Sequence, residues 1–148
     1  KRCFGQKIFK RMKKILLDTD VILDFLLDRK PFSDHALQVL LKCENKELQA
    51  FVTPVIVANT YYLLRQKASH AYVIEQLKQL LKIISVLSID QKQVISALDS
   101  KFTDFEDALQ YFSALHHTKV EAILTRNGKD YKHSELPVFT PHEFLATY

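Results

Sequence analysis

Glycine and proline are scarce in this chain, at two and four of its 148 residues. No stretch has the composition of a flexible linker, and neither a low-complexity segment nor an internal repeat appears, so the length fits a single domain. With 47% hydrophobic residues, that domain can bury a substantial core. Long apolar runs are also missing. Nothing approaches the roughly 18 consecutive apolar residues of a membrane helix, and the amino terminus lacks the apolar centre of a secretory signal. The expectation is a soluble, cytoplasmic protein with no membrane partner. Cys3 and Cys43 have no metal-ligand spacing and are too few for a disulfide framework. Cys43 reads as a half-buried helix residue and Cys3 as a thiol in the tail.

Basic residues are in excess, but the excess is local. The formal net charge is +4, from 21 Lys and Arg against 17 Asp and Glu. Residues 1–11 (KRCFGQKIFKR) hold five of the basic residues and no acid, so the remainder carries 16 against 17, a net of −1. The total charge by itself is therefore a poor argument for nucleic acid. Met12, the only methionine, directly precedes the first strand. The natural start is expected there, with 1–11 an upstream extension and 12–148 the single domain; mass spectrometry of the native protein beginning before Met12 would refute this. If native, the extension is a short basic arm suited to phosphates.

What the chain does have is an organising stretch, Lys13 to Asp28 (KKILLDTDVILDFLLD). Ile15, Leu16 and Leu17 make a short continuous apolar run, as expected of a strand covered on both faces of a parallel sheet. Asp18 stands at its carboxyl end, where ligands bind in open α/β sheets, and a helix follows from about Asp20. Asp18 and Asp20 are equally ordinary as helix caps. At this point both readings stand.

Further along, the first helix is expected to stop near Arg29-Lys30-Pro31, with Ser33 capping a second helix over 34–47. A strand follows over 49–53. Pro54 opens the next helix (PVIVANTYYLLRQKA), apolar nearly all round and so expected to be buried, with Asn59 as its polar exception. A helix over 70–82, a strand over 83–87 and a helix over 90–99 come next, the last with Val94, Ile95 and Leu98 inward. In KFTDFEDALQYFSALHH, Thr103 and Glu106 fit a capping box. Phe105, Ala108, Leu109, Phe112 and Leu115 are expected to face the core, with Asp104 and Asp107 three apart on a neighbouring face. EAILT (121–125) reads as a strand, Arg126 to Asp130 as a polar turn, Val138-Phe139 as a short strand, and Pro141 as the start of a last helix. Strands alternating with helices specify a three-layer α/β domain with a mostly parallel central sheet.

That geometry should gather Asp18, Asn59, Asp107 and Asn127 at one crevice. A site of carboxylates and amides, without Cys or His, suits Mg²⁺ or Mn²⁺ rather than zinc, and such an ion supports attack of water on a phosphodiester. Asp104 also reads as an acid favoured by the helix dipole. The adjacent His116 and His117 point to different sides of a helix and read as helix-end cations. Tyr61 and Tyr62 are either core or base-stacking residues, and Arg126, Lys129 and Lys132 are either phosphate contacts or a solvated turn.

Four segments, KKILLDTDVILDFLL, FVTPVIVANTYYLL, DFEDALQYFSA and ILTRNGKDY, resemble in order and spacing the PIN-domain nucleases, including VapC-type toxins, over nearly all of Met12 to Tyr148. The resemblance implies a PIN-like α/β/α fold and a metal-dependent endoribonuclease using Mg²⁺ or Mn²⁺. It further implies RNA as substrate, and an antitoxin protein and a homodimer as partners. Asp18 matches the strand-end Asp of a D-T-N-V-type motif, with Asp20 where Asn is usual. Asp107 matches the helix-start Asp before a small residue, with Asp104 as an accessory catalytic acid. Asn127 falls where an acid or Asn follows T-x from Thr125, and Asp130 is close by. Asp18, Asp107, Asn127 and Asn59 are thus the implied metal ligands, Asp20, Thr125 and Asp130 accessory residues, and Arg126 and Lys129 the RNA contacts. In one departure, the family's second acid, a Glu, falls on Asn59; a bacterial PIN-like subgroup similarly carries Asn there.

Two other readings compete. Asp18-Thr19-Asp20 at a strand end also resembles the nucleophile motif of haloacid-dehalogenase-type phosphatases, although the Gly-Asp motif of that family is absent and DFED opens a helix instead. Asn59 also suits a catalytically weak or inactive PIN-like module that binds nucleic acid without cutting it.

Overall fold

The computed structural model of the protein describes residues 12–117 and 120–148; the basic stretch 1–11, with Cys3, lies outside them. The elements run β1 (Lys13–Leu17), α1 (Thr19–Leu26), α2 (Ser33–Glu44), β2 (Leu48–Val52), α3 (Pro54–Arg65), α4 (His70–Leu80), β3 (Ser85–Val86), α5 (Gln91–Leu98), α6 (Phe105–His117), β4 (Ala122–Leu124), a 3₁₀ turn (Gly128–Tyr131), β5 (Val138–Phe139) and α7 (Pro141–Thr147). Five strands form one sheet in the order β3-β2-β1-β4-β5, and every pairing is parallel. Parallel strands need crossover connections, and the intervening helices supply them.

The central position of β1 follows from its composition. Ile15, Leu16 and Leu17 are fully buried, between β2 on one side and β4 on the other. Together with Phe51, Val52, Ile123 and Leu124 they form the main core, which Tyr111, Tyr131 and Phe144 close from the helices and the 3₁₀ turn. Strand order reverses between β1 and β4, which places a topological switch point, and hence a crevice, beyond their carboxyl ends.

The helices depart from their expected faces in instructive ways. On α3 only Ile56, Thr60 and Leu64 are buried, while Tyr62 is 69% and Leu63 42% exposed. This helix packs on α1 and α4 rather than under a second layer, so one stripe suffices. On α5 Gln93 and Ala97 are buried and Val94 packs partly buried against the Ala97 cluster as expected, whereas Ile95 and Leu98 face outward. Gln93 earns its buried place by completing a capping box with Asp90. Phe105 and Leu115 are likewise exposed on α6, whereas Ala108 and Leu109 are buried. Ser33 is the first residue of α2 and caps nothing; Phe32 holds the cap position. Thr103 and Glu106 make no capping box, because Asp104 takes the role: its Oδ1 accepts the Asp107 N–H at 3.0 Å and its carbonyl the Ala108 N–H. α1 ends at Leu26, earlier than its proline suggested, and Cys43 is buried rather than half-buried.

One buried charge ties the carboxyl side of the sheet together. Asp24 on α1 is almost fully enclosed and accepts from Arg126 Nε at 2.6 Å and Nη2 at 2.9 Å in a two-pronged pair. Arg29 Nε lies 2.9 Å from the same carboxylate. The Arg126 guanidinium also sits 3.9 Å over the Phe32 ring, which adds cation–π attraction. Replacing Asp24 with alanine removes both ion pairs while leaving two partly exposed guanidinium groups, Arg29 still bound to the Asp20 carbonyl, and is expected to lower the unfolding free energy by about 2 kcal/mol. Urea denaturation checks this; a loss below about 0.5 kcal/mol, typical of an ordinary surface change, would show that the clamp does not stabilise the fold.

Candidate active-site cleft

Leu17 pairs with Leu124, so the next residues of the two strands leave the sheet as neighbours. They are Asp18 and Thr125. The Thr125 hydroxyl donates to Asp18 Oδ2 at 2.9 Å, while Asp18 Oδ1 accepts the Thr19 N–H at 2.7 Å. Asp18 is thus a helix cap and a cleft residue at once, since it lines a cavity of about 630 Å³ with Asp20, Asn59, Asp104, Asp107, Asn127 and Asp130.

Asp107 enters from the first turn of α6. Asp104 fixes its backbone, and the Tyr131 hydroxyl reaches it, lying 3.1 Å from Asp107 Oδ1 and 2.6 Å from Gln110 Oε1. Both principal acids are enclosed, Asp18 being 7% and Asp107 9% exposed. Burial raises the Asp18 carboxyl to about 6, helped by the charge of Asp20. Burial raises Asp107 further, to about 7, with the charges of Asp18 and then Asp104 adding to it. Tyr131 is pushed well above the ordinary phenol range, first by its own burial and then by Asp18 and Asp107. It therefore stays a proton donor at neutral pH.

Asp20 faces the turn after β4. Its Oδ2 accepts the Arg126 N–H at 2.9 Å, and burial raises its carboxyl above the ordinary value. Its Oδ1 is buried without a hydrogen-bond partner. A buried carboxylate oxygen in that state is unusual and invites a cation. Asn127 is exposed at the rim, its N–H bound to Thr125 Oγ1 at 3.1 Å. Asn59 reaches the cleft from α3, where its Nδ2 donates to Glu106 Oε2 at 2.7 Å. The cleft therefore brings together Asp18, Asp20, Asn59, Asp104, Asp107, Asn127 and Asp130, with Thr125 beneath them. Arg126 borders it with a head group held by Asp24, whereas Lys129 is exposed on the 3₁₀ turn outside the cleft wall. His116 approaches Gln93 and takes no part; the His117 side chain lies outside the described residues.

Sequence reasoning did not single out Asp24, Gln110 or Tyr131. The available signals were an acid within the apolar face of α1, a glutamine one helical turn after Asp107, and a tyrosine closing the polar turn NGKDY.

The PIN domain family model matches residues 14–129. None of the curated proteins matches the sequence. Among solved structures, the fold is similar to a toxin–antitoxin complex from Klebsiella pneumoniae, at 22% identity and a TM-score of 0.64 over 87% of this chain and 98% of that one. It is similar also to VapBC2 from Rickettsia felis, solved with a DNA fragment from its promoter (13%, 0.64, 84% and 96%). A third is a sarcin–ricin loop cleaving VapC toxin of Mycobacterium tuberculosis (13%, 0.61, 80% and 94%). At these identities the likeness is one of fold. The family model itself spans most of the chain and takes in β1, the start of α6 and the Thr125–Asn127 turn, so the chain belongs to the PIN-domain family.

Proposed function

We propose that this protein is a divalent-cation-dependent endoribonuclease, using Mg²⁺ or Mn²⁺, and the toxin of a toxin–antitoxin pair. The observation that carries the reading is the pair Asp18 and Asp107. They are two buried carboxyls beyond the ends of a parallel sheet, both raised in proton affinity, and among the described residues neither forms an ion pair with a basic side chain. Such an arrangement is unfavourable in isolation and favourable around a cation.

The donor set fits a hard cation. Among the described residues no three Asp, Glu, His or Cys side chains stand close enough to cage an ion, but Mg²⁺ is usually held by one or two carboxylates, with waters and substrate phosphate oxygens completing its shell. Asp18 and Asp107 would hold it, with Asp20 Oδ1, Asn59, Asp104 and Asn127 as further oxygen donors in the same cleft. When bound, the ion supplies neutralisation of charge at the phosphorus and activation of a water nucleophile. The protein's own contribution is positioning. Thr19 and Thr125 fix the Asp18 carboxylate, Asp104 fixes the backbone of Asp107, and Tyr131 holds a proton that it shares between Gln110 and Asp107. Lys129 is the cation proposed to meet RNA phosphates, and Arg126 acts by holding Asp24.

The toxin reading is supported by the structural neighbours, which include a toxin–antitoxin complex and a sarcin–ricin loop cleaving VapC toxin. Exposed apolar residues on α3 and α5, among them Tyr62, Leu63, Ile95 and Leu98, leave surface for a protein partner such as an antitoxin or a second copy.

Incubated with RNA and Mn²⁺ or Mg²⁺, the protein is expected to cleave, chelator to abolish cleavage, and Asp18→Asn or Asp107→Asn each to slow it by about 100-fold or more. Cleavage that survives both substitutions would overturn the site. Absence of cleavage and of metal binding would make this a binding module, and release of phosphate from small phosphomonoesters would make it a phosphatase.

The raised carboxyls also predict how stability depends on pH. Both groups have an ordinary value of 3.8 and fold to about 6 and about 7. Folding therefore favours their protonated forms; the resulting destabilisation is full above about pH 7 and is relieved as pH falls toward 4. Without metal, the stability gain of Asp18→Asn over the parent is expected to be largest near pH 8, at about 1–2 kcal/mol, and to shrink by pH 5. A gain that is flat across this range, measured by thermal denaturation, would refute the assignment.

A further inference from the structure

The family's second acid is missing at position 59, yet the site is not short of a carboxylate there. Asn59 sits on α3 and Glu106 on α6, far apart in sequence, and Asn59 Nδ2 donates to Glu106 Oε2 at 2.7 Å. Both side chains line the cavity that holds Asp18 and Asp107. Glu106 precedes Asp107 in the first turn of α6. Among the described residues it forms no ion pair with a basic side chain, so its charge is not committed to another partner. An amide at 59 is suited to this place: it presents an N–H donor that orients a carboxylate, whereas a second carboxylate at 59 would repel it.

We infer that Glu106, beside Asp107 on α6, supplies the metal-site negative charge that position 59 lacks, acting through the water shell of the cation rather than as a direct ligand, with Asn59 as the residue that positions it. This rests on the metal-dependent reading above. The relocation keeps the formal charge of the cleft while moving its source from α3 to α6, beside the helix end that already presents Asp104 and Asp107. The alternative is a hydrogen bond that merely ties two helices.

The two are separable because Glu106→Gln keeps an oxygen acceptor for the Asn59 amide and removes only the charge. Mn²⁺ alone is titrated into the full chain by calorimetry and by electron paramagnetic resonance of the free ion, with melting temperatures recorded in parallel. Glu106→Gln is expected to fold like the parent and to weaken Mn²⁺ binding by about tenfold or more. Asn59→Glu combined with Glu106→Gln, which returns the carboxylate to α3, is expected to restore binding to within about threefold of the parent, well inside the effect of the single change. Parent-like binding in Glu106→Gln, or failure of the double variant to recover it, overturns the inference while leaving the metal-dependent reading intact. A Glu106→Ala variant that lowers the melting temperature, together with a Glu106→Gln variant that binds normally, identifies a helix tie. A parent that binds no Mn²⁺ overturns the metal-dependent reading and this inference together.

Discussion

The parallel pairing of β1 with β4 is the constraint on which the rest depends. With Ile15 opposite Ala122 and Leu17 opposite Leu124, the two strands end in register, and Asp18 and Thr125 emerge side by side. Their hydrogen bond, and the bond from the Asp18 N–H to the Leu124 carbonyl at 3.0 Å, extend the ladder by one step into polar territory. A slip of register would carry Asp18 away from Thr125 and the turn behind it. The core residues of the two strands therefore specify the geometry of the cleft as much as they stabilise the fold.

The acids of α1 divide the work according to surroundings. Asp18, Asp20 and Asp24 lie on one short segment, yet among the described residues only the Asp24 carboxylate forms ion pairs with guanidinium groups; Arg29 meets Asp20 at its backbone carbonyl. The clamp of Asp24 with Arg29 and Arg126 neutralises the basic side chains nearest the cleft. Asp18 and Asp20 are left facing hydroxyl and amide donors, which hold a carboxylate in place without cancelling its charge. A single arginine moved from Asp24 to Asp18 would turn a cation site into an ion pair.

This division explains which features were legible in the sequence. The strand ending in Asp18, the alternation of strands with helices, and the positions of Asp107 and Asn127 follow from apolar period and from residue type, and these local signals survive folding. The facing of α3 and α5 was not legible. Apolar residues at Tyr62, Leu63 and Leu98 satisfy a buried pattern, but which stripe is covered depends on neighbours that the local pattern does not name. The caps of α2 and α6 were misjudged for a related reason: Thr103 and Asp104 are adjacent residues capable of the same hydrogen bond, and the choice was settled by where the α6 backbone begins. Asp24, Gln110 and Tyr131 escaped because their partners lie far away in sequence.

The cleft is held against its own electrostatics. Burial raises both principal carboxyls, and neighbouring charges raise them further, Asp20 acting on Asp18, and Asp18 and then Asp104 on Asp107. A protein selected only for stability would replace one of them, so retaining both is a cost offset by packing beneath them, from Leu17, Leu124 and the fully enclosed Tyr131. Position 59 fits this balance. A glutamate there would add a carboxylate on α3 while Glu106 still stood opposite, whereas the amide accepts the geometry and contributes no charge. Asn59 and Glu106 form one hydrogen-bonded unit distributed over two helices, and the departure at position 59 belongs with the acid one residue before Asp107.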